Sequence, residues 1–189
     1  ECELTITSVP ILGADGSSEG AALRLSAKSG PILPPTRHVD ASRMRGSGTQ
    51  MASVRRRMNK ILSSPSSVYI SGETGTGKGL LARAIHYESN RRDKPFVIIS
   101  CANIPETLFE SELFGYEGGA FTGALKSGKQ GKMELAEGGT LFLDEISEMP
   151  MSMQAKLLTV LQDRQFERVG GTRPIPLNTR IISASNADI

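Results

Sequence analysis

A glycine-rich segment between a short apolar run and a helical pattern constrains the fold of this chain more than any other feature. Residues 72–78 read Gly-Glu-Thr-Gly-Thr-Gly-Lys and follow the β-prone residues Val68-Tyr69-Ile70. Four apolar residues after the segment are predicted to share one face of a helix: Leu80, Leu81, Ala84 and Ile85. A strand, a glycine-rich loop and a helix in this order are typical of a loop that binds a phosphate chain.

The residue types in this loop fit that chemistry. Glycines permit the positive φ angles at which backbone amides wrap phosphate oxygens, and the start of the next helix adds partial positive charge. Lys78 is predicted to reach the β and γ phosphates. The segment before the loop, Asn59-Lys60-Ile61-Leu62, lacks the aspartate of an NKxD guanine reader, so the sequence favours ATP. The residues predicted to bind the nucleotide are Gly72, Glu73, Thr74, Gly75, Thr76, Gly77, Lys78 and Gly79.

Strand and helix patterns alternate from residue 48 onward. Helical spacing covers residues 51–62 and recurs at Met153, Leu157 and Leu161. The predicted strands are residues 68–70, 96–99, 140–143 and 180–184. Because such alternation is typical of a parallel sheet covered by helices, the predicted fold class is α/β.

Composition divides the chain into three parts. Residues 1–25 hold two β-prone runs around Gly13-Ala14-Asp15-Gly16, which predicts a β-hairpin. Since two strands rarely fold alone, this hairpin is predicted to be the end of a preceding domain. Residues 26–47, rich in Pro, Ser and Gly, are predicted to be a linker, and residues 48–189 the main domain. The chain starts with Glu1 and stops after a strand-like run, so both ends are expected to be cut.

Composition also narrows the class of protein. No apolar run of about 18 residues and no leader pattern occurs, so the sequence indicates a cytoplasmic protein without a membrane partner. Its two cysteines are too few for a disulfide framework, and Cys101 is predicted to be a packing residue. Residues 24–60 hold nine Lys or Arg against one Asp. That charge indicates either a nucleic-acid contact or a solvated linker with a surface helix, and the lack of interleaved aromatic residues favours the second.

An acidic pair is predicted to complete the phosphate site. Asp144 and Glu145 follow the predicted strand 140–143, at the edge where ligands of open α/β sheets bind. Because Gly79 replaces the Ser or Thr that commonly touches Mg²⁺, Asp144 is predicted to hold the metal and Glu145 to act as general base. Asn186 is expected on the same edge, next to the strand of Asp144, where it would orient the γ-phosphate or the water. The alternative for Asn186 is a residue of a strand-terminating turn.

A second glycine-rich segment lies between Lys78 and the acidic pair, and it reads Gly119-Ala120-Phe121-Thr122-Gly123-Ala124. Small residues at each end permit sharp turns, which leaves Phe121 and Thr122 at the tip. Since an exposed phenylalanine needs a partner, the segment is predicted to be a contact loop. The alternative is a plain Gly/Ala turn.

Together, these segments resemble the central AAA+ ATPase domain of bacterial enhancer-binding proteins, the activators of sigma-54 RNA polymerase. The resemblance covers residues 48–189. Residues 72–78 resemble the family's Walker A motif, residues 119–124 its GAFTGA signature and residues 139–145 its Walker B motif, and Asn186 falls at its sensor I position. The N-terminal hairpin resembles the closing strands of a PAS sensor domain, which is typical of sensory or two-component regulation.

The resemblance implies a P-loop NTPase AAA+ fold that binds ATP and Mg²⁺ and hydrolyses ATP. It implies that residues 119–124 contact sigma-54, that hydrolysis remodels the closed promoter complex, and that the subunits form a ring, usually of six. Arg168 is implied as a subunit contact. Arginine fingers, a sensor II lid and a helix-turn-helix for enhancer DNA are implied past Ile189, so the chain alone is expected to hydrolyse ATP poorly.

The sequence departs from the family pattern at several positions. Ser100 stands where the family often has an Asn that tethers the Walker B glutamate, which puts that switch in doubt. Tyr116 and Gly118 replace a common His and Lys, and Gly79 replaces a common acidic residue. The alternative function is a sensory or regulatory module that uses ATP for assembly without efficient hydrolysis.

Overall fold

The structure, a computed structural model, describes residues 4–12, 18–27, 58, 61–62 and 64–186. Two single-turn 3₁₀ segments, Cys101–Asn103 and Ile146–Glu148, follow strands of the main sheet. Among the described residues, no helix is both long enough and apolar enough to cross a membrane. In chain order the helices and strands are β1 (Leu4–Leu12), β2 (Ser18–Ala27), β3 (Ser67–Gly72), α1 (Lys78–Tyr87), β4 (Phe96–Ser100), α2 (Glu106–Phe114), β5 (Gly115–Tyr116), β6 (Lys129–Gln130), α3 (Lys132–Leu135), β7 (Thr140–Asp144), α4 (Met151–Asp163), β8 (Gln165–Phe166), β9 (Ile175–Pro176) and β10 (Arg180–Ser185).

The main sheet has six strands in the order β1-β2-β3-β10-β7-β4. Strands β2, β3, β10, β7 and β4 run parallel to one another, while β1 is antiparallel to β2. Parallel strands require crossover connections, and α1 lies in the connection from β3 to β4, which β10 and β7 separate in the sheet. The predicted parallel sheet flanked by helices is therefore confirmed, and the four predicted strands correspond to β3, β4, β7 and β10.

Alternation along these strands divides the core into two layers. Registered residues of neighbouring strands share a face, so Phe142 and Ile182 lie on the face that α1 covers. Leu141 and Ile181, one residue earlier on the same strands, lie on the opposite face, in a cluster with residues of α2 and α4. The central strands β7 and β10 are largely buried on both faces, which explains why apolar residues occupy consecutive positions in them.

Helix α1 differs in one residue from its predicted apolar face. Leu81, Ala84 and Ile85 are fully buried against the sheet, as predicted. Leu80 is 47% exposed, so its predicted place on that face is wrong. Leu80 lies in the first turn of the helix, beside the glycine-rich loop rather than over the strands.

The N-terminal hairpin is confirmed as two antiparallel strands with Leu4 opposite Ala27. Its second strand also lies parallel to β3, with Gly20 paired to Ser67 and Leu25 paired to Gly72. The predicted turn at residues 13–16, the linker after Ala27 and most of the helix predicted at residues 51–62 lie outside the described residues, although Met58, Ile61 and Leu62 are helical. The origin of the N-terminal hairpin in a PAS-like domain stays a prediction.

Candidate functional site

Four strand ends bring the predicted phosphate-site residues to one edge of the sheet. The parallel strands β3, β10, β7 and β4 are neighbours in that order, so their carboxyl ends lie side by side. Gly72 ends β3, Asn186 follows β10, Asp144 ends β7 and Ser100 ends β4. Open α/β sheets bind their ligands at this edge.

The loop between β3 and α1 is shaped by its glycines and lysine. Gly75 and Gly77 have φ angles of 82° and 91°, which residues with a Cβ atom rarely adopt. Lys78 is 8% exposed, and its Nζ donates hydrogen bonds to the carbonyl oxygens of Gly72 (2.8 Å) and Glu73 (3.0 Å). The ammonium group is thus held inside the curve of the loop.

The start of α1 adds donors to the same place. The amide of Leu81 donates to the Gly77 carbonyl oxygen at 3.0 Å, closing the first turn. The three preceding amides of the helix have no acceptor within it, as at every helix N-terminus, so they are available to an anion. A Cβ added at Gly79 would lie 3.9 Å from the Phe142 ring, so a larger residue fits there sterically. The loop and helix start together form a cradle of donors that suits phosphate oxygens.

The acidic pair sits where the chain turns sharply at the end of β7. Glu145 has φ 54° and ψ 52°, and among the described residues only Arg164 shares a positive φ without being glycine. A non-glycine residue in this region carries roughly 1–3 kcal/mol of strain, and such strain is concentrated at functional sites. Asp144 and Glu145 are both half-buried. The described residues contain no group of three or more His, Cys, Asp or Glu that could hold a metal, so a cation here would need ligands from phosphate and water besides Asp144.

Strand β4 places a hydroxyl beside this pair. Ser100 is the register partner of Asp144 on the parallel neighbour β7, so both side chains lie on the α1 face of the sheet. Cys101, the next residue, is buried as predicted. Burial, together with the negative charges of Asp144 and Glu145, raises the pKa of the Cys101 thiol to about 12. The thiol therefore stays protonated at neutral pH.

The remaining predicted residue of the edge, Asn186, follows β10 directly and is exposed. Strand β10 lies between β3 and β7, which places Asn186 between the phosphate loop and the acidic pair. The end of β10 is joined to the turn after Glu145 by a hydrogen bond between the Ser185 and Ser147 hydroxyls, 3.1 Å apart. Nothing in its own contacts distinguishes the functional role of Asn186 from that of a turn residue.

The second glycine-rich segment lies in the connection of a small hairpin formed by β5 and β6. Tyr116 in β5 pairs with Lys129 in β6, and the segment spans residues 119–124 between them. Two turn hydrogen bonds shape it, from the Ala120 amide to the Glu117 carbonyl oxygen (3.1 Å) and from the Ala124 amide to the Phe121 carbonyl oxygen (3.0 Å). Phe121 is 41% exposed. The hexapeptide is thus a surface loop that presents an aromatic ring, as the sequence predicted.

The base of this loop is fixed by Arg168. Its guanidinium donates to both carboxylate oxygens of Glu134 at 2.8 and 2.7 Å and to Glu117 at 3.3 Å. The hydrogen bonds to Glu134 raise the pKa of Arg168 above its ordinary value. Backbone bonds add to this clamp, since the Glu117 amide donates to the Val169 carbonyl oxygen and the Val169 amide to that of Gly115. Arg168 is thus engaged within its own chain, and its role as a subunit contact stays a prediction.

Helix α4 connects the acidic pair with the loop. It begins six residues after Glu145 and leads through β8 to Arg168. Lys156 in α4 donates to Glu110 of α2 at 2.5 Å and lies 4.9 Å from the centre of the Phe114 ring. Helix α2 runs directly into β5, so α4 contacts an element that leads to the hexapeptide.

Sequence reasoning missed the two acidic residues that hold Arg168 and the ring contact between Tyr116 and Phe121. Glu117 and Glu134 lie in no periodic pattern that would have singled them out. The only signal in the sequence was local: Glu117 follows the aromatic Tyr116, and Glu134 lies three residues after Gly131. Their basic partner, Arg168, lies far along the chain. Long-range pairs of this kind, separated by 34 and 51 residues, become visible only in the folded structure.

Known proteins share this arrangement. Residues 44–189 match the family described as the Sigma-54 interaction domain. The chain is 58% identical over 129 residues to the DNA-binding transcriptional activator HyfR of Escherichia coli K12, a match that covers 68% of this chain and 19% of HyfR. It is 44% identical over 181 residues to a Nif-specific regulatory protein of Azospirillum lipoferum, covering 96% of this chain and 28% of that protein. The chain therefore spans about a fifth to a quarter of the length of these relatives.

A solved structure supports the same relationship. The crystal structure of NtrX from Brucella abortus in complex with ATP is 40% identical, with a TM-score of 0.66 over 76% of this chain and 30% of that one. The parallel sheet with its phosphate loop between β3 and α1 is the P-loop NTPase fold of the AAA+ type. With this fold, and with the family match over residues 44–189, the chain belongs to the family of sigma-54 interaction domains.

Proposed function

We propose that the shared edge of β3, β10, β7 and β4 binds ATP with Mg²⁺ and hydrolyses it. The observation that carries this proposal is the strand order, which puts the phosphate loop, Asn186 and the Asp144-Glu145 pair at adjacent strand ends. The loop glycines and the α1 amides suit the phosphate chain, and the ammonium group of Lys78, which lies inside the loop, would neutralise the β and γ phosphates. NtrX, which shares the fold, has been solved with ATP.

Each residue of the edge has a distinct chemical task in this proposal. Asp144 would hold a hydrated Mg²⁺, which would supply positive charge to the phosphate chain. Glu145, turned away from the strand axis by its positive φ, accepts a proton from the attacking water. Asn186 orients that water or the γ-phosphate. An arginine supplied in trans by a neighbouring subunit would stabilise the charge of the transition state, so the isolated chain should turn over slowly.

The hexapeptide is the segment through which the proposed ATPase acts on its partner protein. We assign residues 119–124 to the contact with sigma-54, because Phe121 is an exposed ring on a loop whose base is fixed by Arg168. Helix α4 links that base to the turn after Glu145, so the nucleotide state can reach the loop. In this account hydrolysis remodels the closed complex of sigma-54 RNA polymerase. The subunits form a homo-oligomeric ring of six, as the resemblance implies, and a separate domain binds enhancer DNA.

A second function is favoured by one observation. Ser100 lies directly beside Asp144, and its side chain is shorter than the Asn common in the family. If Ser100 does not hold Glu145 in place, the domain would bind ATP for assembly and regulation without efficient hydrolysis. Steady-state phosphate release at saturating ATP separates the two functions, since only the first predicts turnover that depends on Glu145.

The test of the first function uses two substitutions that affect different steps. Lys78→Ala should abolish binding of a fluorescent ATP analogue, because it removes the cation inside the loop. Glu145→Gln should keep that binding and lower single-turnover hydrolysis by about 10²-fold or more, because it removes the general base. Glu148→Gln is the matched control, since Glu148 is exposed and three residues away. Undiminished hydrolysis in Glu145→Gln would refute the assignment of the base.

A further inference from the structure

Phe121 does not extend freely from the tip of its loop. Its ring packs edge-to-face on that of Tyr116, with ring centres 5.0 Å apart and an interplanar angle of 63°. Tyr116 is 8% exposed while Phe121 is 41% exposed, so the tyrosine lies beneath and the phenylalanine above it. This geometry is the favourable T-shaped arrangement of two aromatic rings.

The tyrosine side of this contact is fixed. Tyr116 lies in β5, pairs with Lys129 of β6 and forms a parallel bridge with Val169. Gly128 approaches so closely that an added Cβ would lie 2.6 Å from the Tyr116 carbonyl oxygen. Backbone neighbours on two sides therefore hold Tyr116 as part of the body of the domain.

The phenylalanine side is flanked by glycines in backbone conformations that other residues rarely adopt. Gly119 and Gly123 flank it with φ angles of 80° and 93°, and a Cβ added at either would meet nothing within 4 Å. These glycines are thus needed for backbone conformation rather than for packing. Below the tip, Gly170 touches Ala120, where an added Cβ would come within 2.8 Å of the alanine Cβ. The tip of the loop thus packs on Tyr116 and Gly170. Gly119 and Gly123, which have open space around them, connect the tip to the rest of the hairpin.

We propose that Tyr116 is a seat that holds Phe121 in a resting position, and that a partner protein must take the ring from this seat in order to bind. The proposal rests on the proposed function, in which Phe121 contacts sigma-54. An aromatic pair of this type contributes enough that its loss on binding weakens the partner's affinity by about two- to tenfold. Tyr116 is therefore a positioning residue that sets how readily the loop is released, and it does not touch the nucleotide.

The first experiment needs no partner. Limited chymotrypsin digestion of this chain, with the products quantified by mass spectrometry, measures how often the bond after Phe121 becomes accessible. Tyr116→Leu should raise cleavage after Phe121 by about two- to tenfold, because it keeps an apolar side chain and removes the ring. Tyr116→Phe is the matched control and should stay at the wild-type rate, since it keeps the ring and removes only the hydroxyl. Cleavage after Leu125, 58% exposed and outside the hexapeptide, is the internal reference for general loosening.

Tyr116→Met, which also keeps an apolar side chain without an aromatic ring, serves as a second variant if circular dichroism shows that Tyr116→Leu does not fold. Selective acceleration at Phe121 supports the seat. The proposal would be overturned if cleavage after Phe121 were equally fast in the wild type, Tyr116→Leu and Tyr116→Phe. It would also be overturned if cleavage after Phe121 and after Leu125 rose equally in Tyr116→Leu.

The second experiment measures the affinity of sigma-54 for the protein loaded with a non-hydrolysable ATP analogue. Tyr116→Leu should bind about two- to tenfold more tightly than wild type, Tyr116→Phe equally, and Phe121→Ala much more weakly. Unchanged affinity in Phe121→Ala would contradict the proposed function itself. Loss of affinity in Phe121→Ala, with no gain in Tyr116→Leu, would leave the proposed function standing and overturn the seat.

Discussion

His86 shows how the position of one side chain determines its charge. It lies at the end of α1 with 1% of its surface exposed, and its Nδ1 is 2.9 Å from the Thr140 hydroxyl. The ring packs against Tyr87 and Phe96. Burial lowers the pKa of His86 below its ordinary value of 6.5. The positive charge of Arg180 lowers this pKa further, and together the two effects outweigh a hydrogen bond to the Lys94 backbone, which raises it. The folded protein thus holds a neutral imidazole.

This burial predicts a pH dependence of stability. Above pH 6.5 the imidazole is neutral in both the folded and the unfolded chain. Below that pH the unfolded chain binds a proton at His86 that the folded chain does not bind, so the free energy of unfolding falls as the pH falls. The loss is about 1.4 kcal/mol for each unit by which folding lowers the pKa. Urea denaturation between pH 7.5 and 5 should show this decline.

A substitution at His86 tests this assignment. His86→Gln should flatten the decline, because it removes the titrating imidazole. A wild-type stability that does not change across this range, or a decline that persists in His86→Gln, would contradict the assignment of the effect to His86.

Single residues also mark where sequence reasoning reached its limit. The burial of Cys101 could be predicted because it follows an apolar strand. The exposure of Leu80 could not, because helical spacing does not distinguish the first turn beside a loop from the turns that cover the sheet. The contact between Tyr116 and Phe121 has no counterpart in spacing at all, since it depends on the path of the loop between them.

At the scale of elements, the long strands were predictable and the short ones were not. Strands β3, β4, β7 and β10 are apolar runs of five or six residues, long enough to carry a signal. Strands β5, β6 and β8 have two residues each, which carry no periodicity. Their existence depends on long-range pairing, and the clamp around Arg168 joins these short elements.

The clamp predicts a measurable contribution to stability. Arg168→Gln removes both hydrogen bonds to Glu134, whose side chain is 12% exposed, and leaves that carboxylate poorly paired. Because the pair is partly buried, the free energy of unfolding should fall by about 1–2 kcal/mol. Chemical denaturation measures this loss.

Lys129→Met, in the hairpin of β5 and β6, is the control for Arg168→Gln. It removes the ion pair between Lys129 and Glu112, whose side chains are 45% and 31% exposed, respectively. The free energy of unfolding should fall by less than about 1 kcal/mol, because solvent screens that pair. Equal losses in the two variants would mean that the Arg168 clamp adds nothing beyond an ordinary surface pair.

At the scale of the whole molecule, the sheet order joins sites that lie far apart in sequence. Residues 72–78, the Asp144-Glu145 pair and Asn186 meet at one edge because β10 inserts between β3 and β7. The sequence predicted that these residues share an edge, since all follow parallel strands. It could not predict that β2 would lie beside β3, because strand pairing across a long intervening segment leaves no local signal.

The central claim is that the nucleotide site at this edge acts on a partner through Phe121. The most direct measurement compares ATP turnover with opening of a sigma-54 promoter, in a full-length activator that contains this domain with Phe121→Ala. The account predicts turnover within about twofold of wild type and loss of promoter opening of at least tenfold. Leu125→Ala, at an exposed apolar residue just outside the hexapeptide, should retain both activities. Normal promoter opening by Phe121→Ala would contradict the account.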